Sequence, residues 1–391
     1  MLVVTIAVVL LALVGHAAIW IGINNRWHAT GLSRGLVKTV SLAFYAALVG
    51  LPPLVAWRIA AATESSWQVR QWLTHPSAAA AYTVFCAAYA CVHALIWLRD
   101  RRRLSGHPPG VRPTADRIVD VARELPALPT SHPRTRFFCL VPFNQIWQLH
   151  VSQFELELPG LPPELEGLSL VHLSDFHFSR RIDRPYFDEV VRLTNELSAD
   201  VIALTGDICD RRDRIGWIPE TVARLEARLG RFFILGNHDL RTRDVARLRS
   251  AMGEAGFVDL AGRWQRVGDK PLVVAGNERP WFKTEPAEID ALPHDAFRLL
   301  LAHTPDQLRW ASRHGFDLML AGHTHGGQVR FPVIGPIVCP SLHGTKYACG
   351  FFHAPPTLMH VSRGTASLFP YRLNCRPEIT KLVLRRAPQG G

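Results

Sequence analysis

The apolar positions of this chain fall into two regimes. Up to residue 98 they form long runs without a charge: Leu2–Ile23, Thr39–Trp57 and Ser77–Leu98. Runs of about 20 apolar residues are long enough to cross a hydrocarbon core as helices. The predicted helices cover about 2–23, 39–62 and 77–98, with Pro52-Pro53 tolerable as a kink inside a helix bundle. Trp20, Trp27, Trp57, Trp67, Trp72 and Trp97 stand near the ends of the runs, where an aromatic belt would place them. The first run ends in Asn-Asn-Arg-Trp, without a small-residue cleavage site, so it is expected to stay as a membrane span.

Beyond residue 135 the apolar runs become short and alternate with amphipathic stretches. Val151–Leu158 alternates polar and apolar residues like an edge strand. Strands are predicted at Leu168–Leu173, Asp200–Leu204, Arg231–Leu235, Leu272–Ala275, Arg298–Leu301, Leu318–Leu320, Gln328–Phe331, Leu358–Val361 and Ile379–Leu384. Helices are predicted at Tyr186–Leu197, Ile218–Leu229 and Thr242–Ala255. This order implies an α/β or α+β fold, sheets flanked by helices with functional loops at strand ends. Three regions result: a transmembrane region 1–103, a Pro/Arg-rich linker 104–135 with a short helix at Ala115–Leu125, and a domain 136–391.

Charge changes the picture less than its total suggests. The net charge of +11 could indicate nucleic-acid binding, but residues 1–103 hold nine Lys and Arg against two acids. Much of the basic excess is therefore a membrane flank, and no nucleic-acid partner is expected. Arg26, Arg34 and Lys38 follow span one, and Arg99, Arg101, Arg102 and Arg103 follow span three. The positive-inside rule then predicts a multi-pass protein of the inner (cell) membrane with its catalytic domain in the cytoplasm. Seven cysteines without regular spacing give neither a disulfide framework nor a zinc motif.

The chemistry lies where strands give way to loops. Val201–Leu204 runs into Gly206-Asp207, and the glycine lets the backbone turn so that a carboxylate enters a crevice. Asp175-x-His177, Asn237-His238-Asp239, His303 and His323-Thr324-His325 occupy comparable places. One such Asp or His is ordinarily a cap or a satisfied core residue. So many together would be costly to bury without a charged centre to satisfy them.

The series Asp175-x-His177, Gly206-Asp207-x-x-Asp210, Gly236-Asn237-His238-Asp239, His303, Gly322-His323-x-His325 resembles the calcineurin-like metallophosphoesterase superfamily. Its wording, with Leu301-Ala302-His303-Thr304-Pro305-Asp306 and Asn374-Cys375-Arg376-Pro377-Glu378, is similar to the bacterial membrane-associated phosphodiesterase subgroup. Asp239 stands where phosphoprotein phosphatases usually have glutamate, which argues against a protein substrate. The resemblance implies a two-sheet β-sandwich flanked by helices and two divalent ions, Mn, Fe, Zn or Ni by the mixed imidazole and oxygen donors. It also implies that Asp175, His177 and His325 hold one ion, that Asn237, His303 and His323 hold the other, and that Asp207 bridges them. A metal-bridging hydroxide would attack phosphorus, with His238 protonating the leaving oxygen and Asp239 orienting its imidazole. Asp210 is expected behind the ligands beside Arg211, or else in a surface ion pair with it.

The expected activity is hydrolysis of a phosphodiester or pyrophosphate, the substrate being lipid-linked or a nucleotide-lipid at the bilayer surface. A phosphomonoesterase acting on soluble molecules or proteins, and a non-catalytic membrane sensor that keeps the fold, are the alternatives. Trp281-Phe282, Phe351-Phe352 and Leu368-Phe369-Pro370-Tyr371 are apolar stretches that either touch acyl chains or pack in the core. The oligomeric state is not legible.

Overall fold

The computed structural model describes residues 2–62, 78–103, 106–284, 286, 289–293 and 295–387. The chain divides into two compact units, Met1–Gly106 and His107–Gly391. The first contains helices α1 (Leu2–Trp27), α2 (Arg34–Ala62) and α3 (Ala78–Arg103). Each carries a stretch long and apolar enough to cross a membrane: Ile6–Trp27, Arg34–Trp57 and Ala78–Arg102. Trp67 and Trp72, with the loop between the second and third spans, lie outside the described residues.

Two local features tie these helices together. At Gly15 an added Cβ would stand 1.8 Å from the Cys86 carbonyl oxygen, so α1 and α3 approach as closely as small residues permit. Pro52 lacks the N–H that would bond the Leu48 carbonyl within α2. His16 Nε2 lies 3.0 Å from that carbonyl, and His16 Nδ1 lies 2.6 Å from the Tyr82 hydroxyl of α3. A buried histidine thus satisfies the acceptor that the proline frees.

The second unit is a sandwich of two sheets. One has the order β1-β2-β15-β3-β4-β5-β6 and the other β13-β14-β10-β9-β8-β7. In the first sheet β1 is Val111–Asp120, β2 Gln148–Leu158, β3 Ser169–Leu173, β4 Val201–Thr205, β5 Gly230–Ile234, β6 Val258–Asp259 and β15 Glu378–Arg386. In the second, β7 is Trp264–Arg266, β8 Leu272–Asn277, β9 Phe297–Ala302, β10 Leu318–Ala321, β13 Gly350–Ala354 and β14 Thr357–Val361. A small hairpin pairs β11 (Arg330–Phe331) with β12 (Gly335–Pro336).

Strands β3, β4 and β5 run parallel, and so do β8, β9 and β10. Buried on both faces, they read as continuous apolar runs, which is why sequence finds them so readily. Leu170, Val201, Ile234, Leu299, Leu301 and Leu320 fill the space between the sheets. Outside the first sheet, helices α5 (Arg184–Asn195) and α6 (Val245–Glu254) cover a second core. Tyr186, Phe187, Val190, Val191 and Leu193 form the buried stripe of α5. Each contributes about 1.5–3 kcal/mol by leaving water.

Four expectations need correction. The stretch 104–135 is not simply a linker: Val111–Asp120 is strand β1, antiparallel to β2, and Pro133–Cys139 is helix α4. Only Val121–Glu124 of the expected Ala115–Leu125 helix is helical. Ile218–Leu229 holds no α-helix, because its backbone acceptors are taken elsewhere. Arg231 Nη1 donates to the Ala223 and Leu225 carbonyls at 3.0 and 2.7 Å, and Asn195 Nδ2 donates to that of Arg224 at 2.8 Å. Gln328–Phe331 shrinks to the two residues of β11.

Candidate metal centre

Both sets of parallel strands deliver their carboxyl ends to one place. Strand β3 leads into Asp175 and His177, β4 into Asp207, β5 into Asn237, β9 into His303, and β10 into His323 and His325. Asp175, His177, Asp207, His323 and His325 all adopt left-handed backbone with φ between 49° and 70°. Such φ values are uncommon outside glycine and cluster at functional sites, where surrounding structure imposes them. The side chains of the site leave no room for a Cβ on the backbone beside them. A Cβ at Gly236 would stand 2.3 Å from Asp207 Oδ1 and 2.6 Å from His303 Nε2.

Three groups converge closely enough to hold ions: Asp175, His177 and His325; His177, Asp207 and His238; and Asp207, His303 and His323. His177 Nε2 stands 3.0 Å from His325 Nε2 and 3.7 Å from Asp207 Oδ2. Asp207 Oδ1 stands 3.3 Å from His303 Nε2, which lies 3.2 Å from Asn237 Oδ1. Every residue of the expected ligand set is therefore in one cluster.

The donor set fits a metal by a test internal to the structure. Among the described residues, buried Asp175 Oδ1 and His323 Nε2 have no hydrogen-bond partner. An unsatisfied buried carboxylate oxygen or imidazole nitrogen costs about 1–3 kcal/mol or more, and a cation removes that cost. The imidazole tautomers agree. His303 Nδ1 donates to the Thr205 carbonyl at 2.6 Å and His177 Nδ1 to Asp210 Oδ2 at 2.8 Å. Both acceptors lack protons, so each ring turns an Nε2 lone pair inward.

Charge favours the neutral, ligating form at His323 and His325. Burial pushes the His323 and His325 imidazoles well below their ordinary range, which keeps them neutral as ligands must be. Burial opposes ionisation of Asp207, but His303 and His238 outweigh it and hold the carboxyl well below its usual range. Burial likewise lowers His303, yet the Asp207 carboxylate raises it to about 9, so an ion held there would have to displace the Nε2 proton. For Asp175 burial dominates and the carboxyl is raised.

Two expected partnerships are different in the structure. Asp239 does not orient His238. Its Oδ1 accepts from the Ile208 and Cys209 amides at 2.9 and 2.8 Å, and its Oδ2 accepts from the Gly236 amide at 2.8 Å. It ties the β4 and β5 loops together. His238 instead places Nδ1 2.7 Å from Asp210 Oδ1. Asp210 is paired not with Arg211 but with Arg241, whose Nη1 donates to Oδ1 at 2.9 Å. Arg211 faces outward, 2.8 Å from Asp213. Arg241 was missed by sequence reading; its one signal was its place three residues after His238.

The aromatic stretches also sort themselves. Trp281 sets its indole 4.6 Å from the His323 ring and 5.4 Å from the His303 ring, forming a wall of the site. Phe282 packs against the core beneath the Arg249 guanidinium, and Phe351 and Phe352 are buried. Arg372, wholly buried, comes within 3.3 Å of His325 Nδ1.

Known proteins are similar to this chain in sequence. The calcineurin-like phosphoesterase family matches residues 168–327. The chain is 30% identical over 250 residues to the uncharacterised metallophosphoesterase YkuE of Bacillus subtilis, covering 61% of this chain and 86% of that protein. It is 30% identical over 224 residues to the phosphodiesterase YaeI of Escherichia coli, covering 55% of this chain and 81% of that one. A bovine transmembrane protein with a metallophosphoesterase domain is 31% identical over 262 residues, 61% of this chain, but the match spans only 57% of the bovine protein. With its sandwich of sheets and its Asp/His cluster at the strand ends, this chain belongs to the calcineurin-like phosphoesterase family and is a metal-dependent phosphoesterase.

Proposed function

We propose that the protein is a membrane-anchored phosphohydrolase that uses two divalent ions to cleave a phosphodiester or pyrophosphate bond of a lipid-linked substrate. The observation that carries the two-ion reading is the position of Asp207. Its Oδ2 faces His177 at 3.7 Å and its Oδ1 faces His303 at 3.3 Å, so one carboxylate adjoins two separate ligand groups. In this reading Asp175, His177 and His325 hold one ion, Asn237, His303 and His323 hold the other, and Asp207 is shared. Mn, Fe, Zn or Ni suits such donors. When bound, two such ions offset the charge of a phosphate ester and lower the pKa of water.

The chain's own residues supply the rest. His238 holds its Nδ1 proton against Asp210, so a second proton gained at Nε2 gives an imidazolium that the same carboxylate stabilises. That Nε2 proton is the one delivered to the leaving oxygen. Arg241 Nη2 donates to His238 Nε2 at 2.6 Å, so the guanidinium must turn from Nε2 to a phosphate oxygen before that nitrogen takes up its proton. Asp210 positions both His238 and His177. Asp239 fixes the loops that carry Asp207 and Asn237. The cluster also shields the reacting atoms, with Trp281 closing its His303 and His323 side.

The lipid part rests on the three apolar helices, on Trp281, and on relatives named as a phosphodiesterase and as a transmembrane protein. By the loop charges we place the catalytic unit on the cytoplasmic side of the cell membrane. An impermeant thiol reagent that labelled cysteines introduced into the catalytic unit of intact cells would reverse that orientation. The substrate is tested with the full chain in detergent on a chromogenic diester, a chromogenic monoester and a lipid-linked pyrophosphate. Diester turnover should exceed monoester turnover, and Trp281→Ala should depress the lipid reaction more than that of the soluble diester. Preference for the monoester would refute the diesterase reading, and failure to cleave the lipid would refute the amphiphile.

A further inference from the structure

The catalytic unit exposes apolar side chains where a soluble surface would carry charge. Phe137, Leu140 and Phe143, in and just after α4, are 63%, 82% and 81% exposed. Val333, Ile334 and Val338, in and after the β11–β12 hairpin, are 71%, 56% and 58% exposed. Single exposed hydrophobics need no explanation, but a contiguous group does.

The loop 367–376 joins the two groups into one face. The Phe138 ring lies 5.1 Å from the Phe369 ring, Asn144 Nδ2 donates to the Pro370 carbonyl at 2.9 Å, and the Tyr371 hydroxyl donates to the Pro142 carbonyl at 3.0 Å. On its other side Gln328 Nε2 donates to the Phe369 carbonyl at 2.8 Å, and Asn374 Nδ2 to the Arg330 carbonyl at 3.0 Å. The same loop reaches the metal centre, since Cys375 Sγ lies 3.2 Å from the His325 carbonyl.

Charge along these segments has one sign. No Asp or Glu occurs between Glu124 and Glu155, or between Asp317 and Glu378, whereas Arg134, Arg136, Arg330, Lys346 and Arg376 do. Arg134 stands over the Phe138 and Phe369 rings, its guanidinium carbon 5.7 and 6.0 Å from their centroids. Exposed Phe, Leu, Val and Ile beside exposed arginine is the composition of an interfacial membrane contact, with apolar tips entering the headgroup region and cations meeting anionic lipid. Sequence adds a tether: Arg103 ends a membrane-type helix and Val111 begins β1, a connection that reaches about 30 Å at full extension.

We propose that this face of the catalytic unit, formed by α4, the β11–β12 hairpin and the loop 367–376, docks onto an anionic bilayer surface and sets the rim of the metal centre against it. The proposal does not depend on which ester is cleaved. Each cation near an anionic surface adds to the attraction. That is enough to bias the orientation of a domain which the helices already hold near the membrane.

The test uses the full chain in vesicles of phosphatidylglycerol and phosphatidylcholine, with a nitroxide at single cysteines replacing Phe143, Val333 and, as control, Glu226. Glu226 is exposed and precedes β5, at the opposite end of the sheet from the metal centre. Nitroxides at 143 and 333 should lose accessibility to a water-soluble nickel chelate and gain it to oxygen, with no change at 226. Equal aqueous accessibility at all three positions would overturn the proposal. So would the same readings in vesicles of phosphatidylcholine alone, which remove the anionic term. Immobilisation that persists in detergent and rises with protein concentration would show a second copy of the chain covering this face, and would overturn it as well.

Discussion

Asp210 and His238 meet at 2.7 Å, carboxylate Oδ1 to imidazole Nδ1, while the other oxygen of Asp210 lies 2.8 Å from His177 Nδ1. One buried carboxylate therefore steadies two imidazoles assigned different tasks, ligation for His177 and proton delivery for His238. Asp210→Asn should weaken metal binding about 10–100-fold through His177 and lower kcat through His238. His238→Ala should keep its metal and lose about 10²–10⁴ in rate. Metal content by elemental analysis, measured beside kcat, separates the two. If His238→Ala is isolated without metal, the residue is a ligand and its assigned role is wrong.

Among the described residues Asp207 is the carboxylate that joins both groups, so its charge should matter more than its shape. In the two-ion reading, Asp207→Asn keeps the volume and removes the anion shared by two cations, whose repulsion at close range is large. Metal and activity should be lost together, with the fold retained by circular dichroism. A variant that still binds two equivalents would show that another group bridges.

The five motif blocks were legible because metal chemistry demands particular residue types at strand ends, and buried parallel strands announce themselves as apolar runs. Partnerships between blocks were not. Asp210 was placed beside Arg211 because they adjoin in sequence, yet neighbours on an extended chain point to opposite sides. Asp210 therefore turns inward to the histidines and Arg211 outward to Asp213. Strand β1 reads as linker in sequence because it sits at a sheet edge with most side chains exposed and Pro113 beside a register shift, leaving no alternation to see. Ile218, Val222 and Leu225 have helical spacing and are all buried, but tertiary hydrogen bonds claim the carbonyls that a helix would use.

A histidine pair between the sheets should make the fold acid-sensitive. His172 Nδ1 lies 2.8 Å from His360 Nδ1, and His172 Nε2 lies 2.9 Å from Thr205 Oγ1. Burial pushes His360 down to about 4 and His172 well below its ordinary range. Their folded pKa values lie below the unfolded value of about 6.5. Between about 4 and 6.5 the unfolded chain then binds protons that the folded chain does not. The stability contributed by His360 is thus complete above about 6.5 and is lost as pH falls toward 4, on the order of 3 kcal/mol over that window. Thermal melts of the full chain in detergent at pH 7 and pH 5 should show the drop, and His360→Asn should flatten it. An unchanged slope in that variant would place the acid sensitivity elsewhere.

Arg372 offers a test of how the loop behind His325 is held. Its guanidinium is wholly buried and donates to the carbonyls of Arg363, Ala366 and Cys375 at 2.9, 2.7 and 3.3 Å, and to Ser367 Oγ at 3.3 Å. Burial lowers its pKa, yet arginine stays charged, so the cation is retained for its fixed fork of donors. Arg372→Met fills similar space but leaves three carbonyls without donors, at about 1–3 kcal/mol each. It should destabilise the unit by at least about 3 kcal/mol. Arg372→Lys keeps the charge but offers a single nitrogen with three donors, which cannot span the same acceptors, and should recover only part of the loss. Because His325 precedes this network by one contact, 3.3 Å from Nη2, both variants should also weaken metal binding below the melting transition. Equal stability for Met and Arg at this position would mean the loop holds its shape without the fork.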